Sequence, residues 1–217
     1  MMSPRKKPED LAPSAVERAF AAVSASIITG EIAPGALLTE GEVADELGVS
    51  RTPVREAFLQ LQTCRLLTLF PKRGAVVASV PDKEVADLLA VRIMLESSAI
   101  RALGGQPLPD GVARDLDDLV AQQVVAEHEG DLLAFSQADF AFHSRVIRAG
   151  DNDVIEDLFT QLGPRLELLT HRAVRRDATS PTRLLADHRE LATLARAGDA
   201  DAYEAALRAH VQRGNYG

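Results

Sequence analysis

Apolar residues recur at spacings of three and four along most of this chain, and strand-like runs appear in only one place. Val16, Ala19, Phe20, Val23, Ile27 and Ile28 follow Pro13-Ser14, so a helix starts there, and Thr29-Gly30 is its stop. Pro34-Gly35 turns the chain, and Glu42 to Leu47 form a short helix. Gly48-Val49 has room only for a tight turn before Ser50, the expected N-cap of the next helix, which tolerates Pro53 in its first turn because the missing N–H is no loss there. Leu67 to Phe70 and Ala75 to Val80 are rich in strand formers and flank Pro71-Lys72-Arg73-Gly74, which predicts a hairpin with a basic tip. From Pro81 onward the period is helical throughout. Five or six helices fit between the breakers Gly104-Gly105, Pro107 to Gly111, Gly130-Asp131, Gly150-Asp151, Ser180-Pro181 and Gly198-Asp199.

Charge divides the chain at the same point. The net charge is -8, but the residues up to Ala78 carry 9 basic and 9 acidic side chains, whereas those from Ser79 carry 15 and 23. Ser50 to Ala75 holds five basic residues against Glu56 alone, a local basic patch on an acidic protein. Residues 1–10, with Arg5, Lys6 and Lys7, read as a flexible basic tail, 11–78 as a first domain and 79–217 as a second. With 46% hydrophobic residues the chain can bury a core, yet no apolar run approaches the roughly 20 residues of a membrane span. No secretory signal is evident, and the single cysteine, Cys64, cannot form an internal disulfide, so a cytoplasmic protein with no membrane partner is expected.

A short helix, a tight turn and a second helix opening with Arg51, Thr52 and Arg55 meet the requirements of a helix-turn-helix. The second helix enters the major groove N-terminus first. There arginine pairs bidentately with guanine, and Ser50 and Thr52 are short enough to donate to phosphate or base. Leu47-Gly48-Val49-Ser50-Arg51-Thr52-Pro53-Val54-Arg55-Glu56-Ala57 resembles the DNA-binding signature of the GntR superfamily of bacterial repressors. The resemblance implies a winged helix-turn-helix in which Arg51 and Arg55 are the main DNA contacts. Ser50, Thr52 and the wing at Lys72, Arg73 and Gly74 would support them. Two positions depart from the pattern: Gly41 stands where these regulators often carry a basic residue, and Arg65 where they usually have glycine.

Polar residues interrupt the apolar stripes of the second domain. Asp139 and His143 fall one turn apart inside the stripe of Leu132, Phe135, Phe142, Val146 and Ile147. His188 lies in the stripe of Leu184, Leu191 and Ala195, and His210 in that of Tyr203, Ala206, Leu207 and Val211. Gly198-Asp199 makes the last two helices an antiparallel hairpin, and His188 precedes Asp199 by as many residues, 11, as His210 follows it. The two imidazoles therefore lie level. Unpaired polar groups are costly to bury, and one carboxylate with three imidazoles forms an oxygen-and-nitrogen site for one divalent metal with one or two positions free. Zinc is the first candidate; nickel, manganese and iron are admitted. His128 and His171 lack such company and read as solvent-facing or structural.

Asp139-Phe140-Ala141-Phe142-His143, Asp187-His188-Arg189-Glu190 and His210 after Gly198-Asp199 resemble the effector domain of the FCD subgroup of GntR regulators. In that subgroup the corresponding metal takes the carboxylate of a small organic acid. Arg92 and Glu96 project from the apolar face of the domain's first helix. They are either an internal ion pair or, as the resemblance implies for Arg92, a clamp on the effector. The expected fold is mainly α, with an N-terminal winged helix-turn-helix carrying a small β-hairpin wing and a C-terminal all-α bundle. The expected function is a non-enzymatic, ligand-responsive transcription regulator, in the first instance a repressor. It would bind an inverted-repeat operator in double-stranded DNA as a homodimer, because one small winged domain makes too few contacts alone. A metal-ion sensor and a metal-dependent enzyme are the alternatives, the latter lacking a carboxylate clearly placed as a general base.

Overall fold

The computed structural model describes residues 12–214; the basic tail expected at 1–10 lies outside them. The chain divides into two compact units between Ala78 and Ser79. Among the described residues no helix is long and apolar enough to cross a membrane.

The first unit holds α1 (Ala15–Thr29), β1 (Leu37–Leu38), α2 (Glu40–Leu47), α3 (Arg51–Thr63), β2 (Leu67–Phe70) and β3 (Gly74–Val77). Ser14 caps α1 in a reciprocal capping box with Glu17, and Thr39 does the same for α2 with Glu42, so α2 starts two residues before the apolar pattern indicates. Gly48 ends α2 in the left-handed conformation that the tight turn requires. Ser50 does occupy the N-cap position of α3, but its side chain makes no capping bond, contrary to expectation. That leaves its hydroxyl exposed at the helix mouth. Val54, Ala57, Phe58 and Leu61 bury one face of α3, which packs against α1.

The hairpin is shorter than the run of strand formers predicts, ending at Val77, and it gains a third strand. β1 pairs antiparallel with β3, Leu38 opposite Ala75, giving the order β1-β3-β2. Two residues were too few to be read from sequence. Arg73 N–H donates to the Phe70 carbonyl across the tip, with Lys72 at φ 63 in the position where such turns favour glycine. Arg65 likewise takes φ 58, so the chain leaves α3 through a left-handed arginine.

Among its described residues the second unit holds six helices: α4 (Asp82–Ala102), α5 (Asp110–Glu129), α6 (Leu132–Ala149), α7 (Asp153–Arg176), α8 (Ser180–Ala197) and α9 (Ala200–Arg213). α6 packs between α5 and α7, α4 lies against α6, α7 and α9, and α8 pairs with α5 and α9. Phe135, Phe142, Val146, Leu169, Leu191, Tyr203 and Leu207 belong to one apolar core. Asp199 caps α9 through Ala202 N–H, and Gly198 closes α8, which sets the α8–α9 hairpin.

Candidate metal centre and DNA-binding surface

α6 carries Asp139 and His143 one turn apart, α8 carries His188 and α9 His210, and all four are buried. One donor atom from each lies within 4.8 Å of every other. The His188 and His210 rings, level across the hairpin, have centroids 5.0 Å apart.

The outer nitrogen of each imidazole is tied down. His143 Nδ1 lies 2.8 Å from Glu96 Oε2, His188 Nδ1 2.6 Å from Gln123 Oε1, and His210 Nδ1 3.2 Å from Asp187 Oδ2. An oxygen of this kind only accepts, so each Nδ1–H donates and each Nε2 faces inward as a bare lone pair. His143 Nε2 and His188 Nε2 then oppose each other at 3.1 Å with no proton between them. Asp139 Oδ2 accepts from the Thr170 hydroxyl at 3.0 Å, while its buried Oδ1 has no hydrogen-bond partner and sits 3.3 Å from His188 Nε2. A proton on His188 Nε2 could serve either His143 or Asp139, not both. A divalent cation satisfies all four donors, so these residues fit a metal, and the outer partners are the kind that fix ligand tautomers.

Arg92 stands beside this cluster. Its Nε donates to Glu96 Oε1 at 3.0 Å and its terminal NH2 reaches His210 Nε2 at 3.1 Å. Glu96 thus joins Arg92, His143 and the Tyr203 hydroxyl, which donates to Oε2 at 2.9 Å. Burial pushes the Glu96 carboxyl up, but His143 and Arg92 outweigh it and hold it down at about 2. Burial likewise opposes ionisation of Asp139, yet His188, His143 and Arg92 keep it well below the usual carboxylate range. His143 is depressed to about 4, by burial first and then Arg92; His210 to about 3, by burial against the opposing Asp187 hydrogen bond. Glu167 on α7 moves the other way, to about 7, through burial and then the charge of Asp139.

These shifts fix a sign. His143 and His210 are neutral when folded but bind protons near 6.5 when unfolded, so the unfolded chain gains protons first as pH falls. Their contribution to stability is complete above about 6.5 and is lost as pH drops toward about 4 and 3. Glu167 works in the opposite sense, taking up a proton in the folded state near 7, so the metal-free protein is expected to show a Tm that falls from about pH 6.5 to pH 5, where two imidazoles outweigh one carboxyl, measured by thermal unfolding in chelator. A flat Tm over that range would contradict the buried neutral imidazoles.

Sequence reasoning missed Gln123, Asp187, Thr170, Tyr203 and Glu167. Asp187 alone had a readable signal, since it neighbours His188 and the hairpin arithmetic that levels His188 with His210 also brings it close to His210. His171 is buried and has its pKa lowered by burial and Arg175, while His128 is exposed; neither joins the cluster.

In the first unit Arg51, Thr52 and Arg55 are exposed along the start of α3. Arg51, Arg55, Lys72, Arg73 and Gly74 line one groove of about 720 Å³ between α3, the start of α2 and the hairpin tip. Gly74 has a structural reason of its own: at φ 100, a Cβ there would collide with the Leu38 carbonyl oxygen where β1 crosses. The cations converge on a concave, solvent-open surface, as phosphate and base-edge contacts require.

Two family models match the chain: bacterial regulatory proteins of the gntR family over residues 15–77, and the FCD domain over 87–213. An HTH-type transcriptional regulator in an unstable DNA locus of Streptomyces ambofaciens is 33% identical over 86% of this chain and 77% of its own length. The gluconate operon transcriptional repressor of Bacillus subtilis (strain 168) is 32% identical over 75% of this chain and 68% of its own. The solved structure of E. coli McbR/YncC superposes with a TM-score of 0.78, at 22% identity, over 93% of this chain and 95% of that one, a likeness of fold. These curated relatives are transcription regulators rather than enzymes. The winged helix-turn-helix, the six-helix bundle and both family matches lead to one assignment: the chain belongs to the GntR family of bacterial regulatory proteins and carries an FCD domain.

Proposed function

We propose that this regulator is a metal-dependent, carboxylate-responsive repressor. In this reading the domain at 11–78 grips an inverted-repeat operator through Arg51 and Arg55, aided by Ser50, Thr52, Lys72 and Arg73. The domain at 79–217 holds one divalent metal on Asp139, His143, His188 and His210, zinc being favoured by the nitrogen-rich donor set. The repressor sign follows the gluconate-operon likeness. The observation that carries the reading is the convergence of three inward imidazole lone pairs and the unpartnered Asp139 Oδ1 beside a buried arginine.

When bound, the metal would supply a Lewis-acid centre whose free positions accept a carboxylate. Arg92, released from His210 Nε2, would turn its NH2 toward that carboxylate while Glu96 keeps hold of its Nε. Glu96, Gln123 and Asp187 hold the three imidazoles in the tautomer that leaves Nε2 free. Charge supports an anionic effector. With a divalent cation in place, Arg92 set against Asp139 and Glu96 leaves one positive charge in excess in a buried site, and a single carboxylate neutralises it.

Homodimerisation is supported by an exposed apolar strip. Arg165, midway along α7, pairs with Glu84 near the start of α4, and Gly150, which ends α6 just before α7 begins, abuts Ala99 near the end of α4, so α4 and α7 run antiparallel. Val91 and Met94 on α4 then fall beside Val154 and Leu158 on α7, all four exposed. A second copy covering this strip would place two winged domains on one operator. Switching requires only that the effector favour the dimer arrangement whose spacing no longer matches the half-sites.

The test is fluorescence anisotropy on an operator selected from random duplexes. Small organic acids are expected to release the metal-loaded protein and to leave the chelated protein bound. Release by metal alone would make the ion the signal, and no release by any acid across a broad panel would refute the effector reading.

A further inference from the structure

The start of α2 contains a glycine that its backbone does not need. Gly41 is the second residue of the helix and does not have a positive φ, and alanine is the better helix former there. What the missing side chain does accommodate is Arg51. A Cβ at position 41 would lie 3.3 Å from the Arg51 terminal NH2 and 3.6 Å from both Cζ and Nε, so the guanidinium packs against the space the glycine leaves open. No hydrogen bond or ion pair among the described residues fixes Arg51 in place, and its N–H groups remain free in the groove shared with Arg55 and Lys72.

We infer that Gly41 is a specificity-determining positioning residue: the gap it leaves seats the Arg51 guanidinium against the first turn of α2, where its N–H edge reads one guanine of the half-site. The inference rests on the reading that α3 enters the major groove. It also accounts for the lack of a basic side chain on α2 at this point, since Arg51, reaching across from α3, occupies the space such a side chain would fill. A residue larger than alanine at 41 would lift Arg51 from its seat while leaving Arg55, Lys72 and Arg73 as they are.

Operators are to be selected from a randomised duplex pool with the full-length wild type, Gly41→Ala, Gly41→Leu and Arg51→Ala, and affinities measured at one fixed salt concentration. Losing a bidentate arginine–guanine pair costs about tenfold per half-site, so Gly41→Leu is expected to bind the wild-type operator at least tenfold more weakly. It should lose its base preference at the same position as Arg51→Ala, and retain it elsewhere. Gly41→Ala, whose methyl displaces the guanidinium by only a few tenths of an ångström, should weaken binding less than Gly41→Leu, with an equal or higher Tm. The inference is overturned if Gly41→Leu keeps the wild-type motif and affinity while Arg51→Ala does not, or if it weakens binding evenly without changing the motif. Should Arg51→Ala itself select the wild-type motif, the recognition-helix reading fails, and the role of Gly41 with it.

Discussion

Replacing Arg51 and Arg55 together by alanine should abolish specific operator binding, with a loss of more than about 100-fold at physiological salt, since each bidentate arginine–base pair contributes roughly 1–3 kcal/mol and a dimer loses four such side chains. The fold should not suffer. Both residues are exposed, the buried face of α3 is made by Val54, Ala57, Phe58 and Leu61 instead, and alanine is a better helix former than arginine. The double variant should therefore unfold at or above the wild-type Tm, while its anisotropy titration on operator collapses onto the weak curve seen with unrelated DNA. Any residual binding, carried by Lys72 and Arg73 at the hairpin tip, should depend on salt but not on sequence. Binding at wild-type affinity would mean that α3 is not the reading helix.

What the sequence carried and what it hid differ for a physical reason. The helical period locates the long helices, because each buries a stripe of Leu, Val, Ile or Phe, and glycines mark the ends of α1, α5, α6 and α8. The pairing of His188 with His210 was legible too, since two helices joined by the two-residue turn Gly198-Asp199 run antiparallel and counting outward from the turn sets their register. Asp139 and His143 needed only the spacing of a helical turn. The outer partners were another matter. Gln123 meets His188 because α5 packs on α8, and Tyr203 meets Glu96 because α9 packs on α4. No local pattern states which helices become neighbours. For Arg92 the sequence left two possibilities, an ion pair with Glu96 or a clamp on a ligand. The geometry gives the ion pair through Nε and leaves NH2 on a nitrogen of the metal cluster, so the two roles can coexist on one guanidinium. β1 escaped because two residues have no period.

Changing His188 and His210 together to alanine should empty the metal centre and silence the effector in a single step. Loss of one outer partner of a metal-bound histidine typically costs 10–100-fold in affinity, so loss of two direct ligands should exceed about 100-fold and leave elemental analysis near zero metal per chain. Operator binding should persist, because the groove of Arg51, Arg55 and Lys72 belongs to the other compact unit. Organic acids should no longer release the DNA. The variant should also be less stable than metal-free wild type: Gln123 Oε1 loses its donor, Arg92 NH2 its acceptor, and the two deleted rings leave space at the centre of the bundle. A single variant separates the two effects. Thr170→Val removes the hydroxyl that orients Asp139 Oδ2 while keeping four ligands, so it should weaken metal binding by about 10-fold without emptying the site. If the double histidine variant still carries one metal per chain, the ion sits elsewhere, and the lone pairs facing each other at 3.1 Å between His143 and His188 would then need another counterpart.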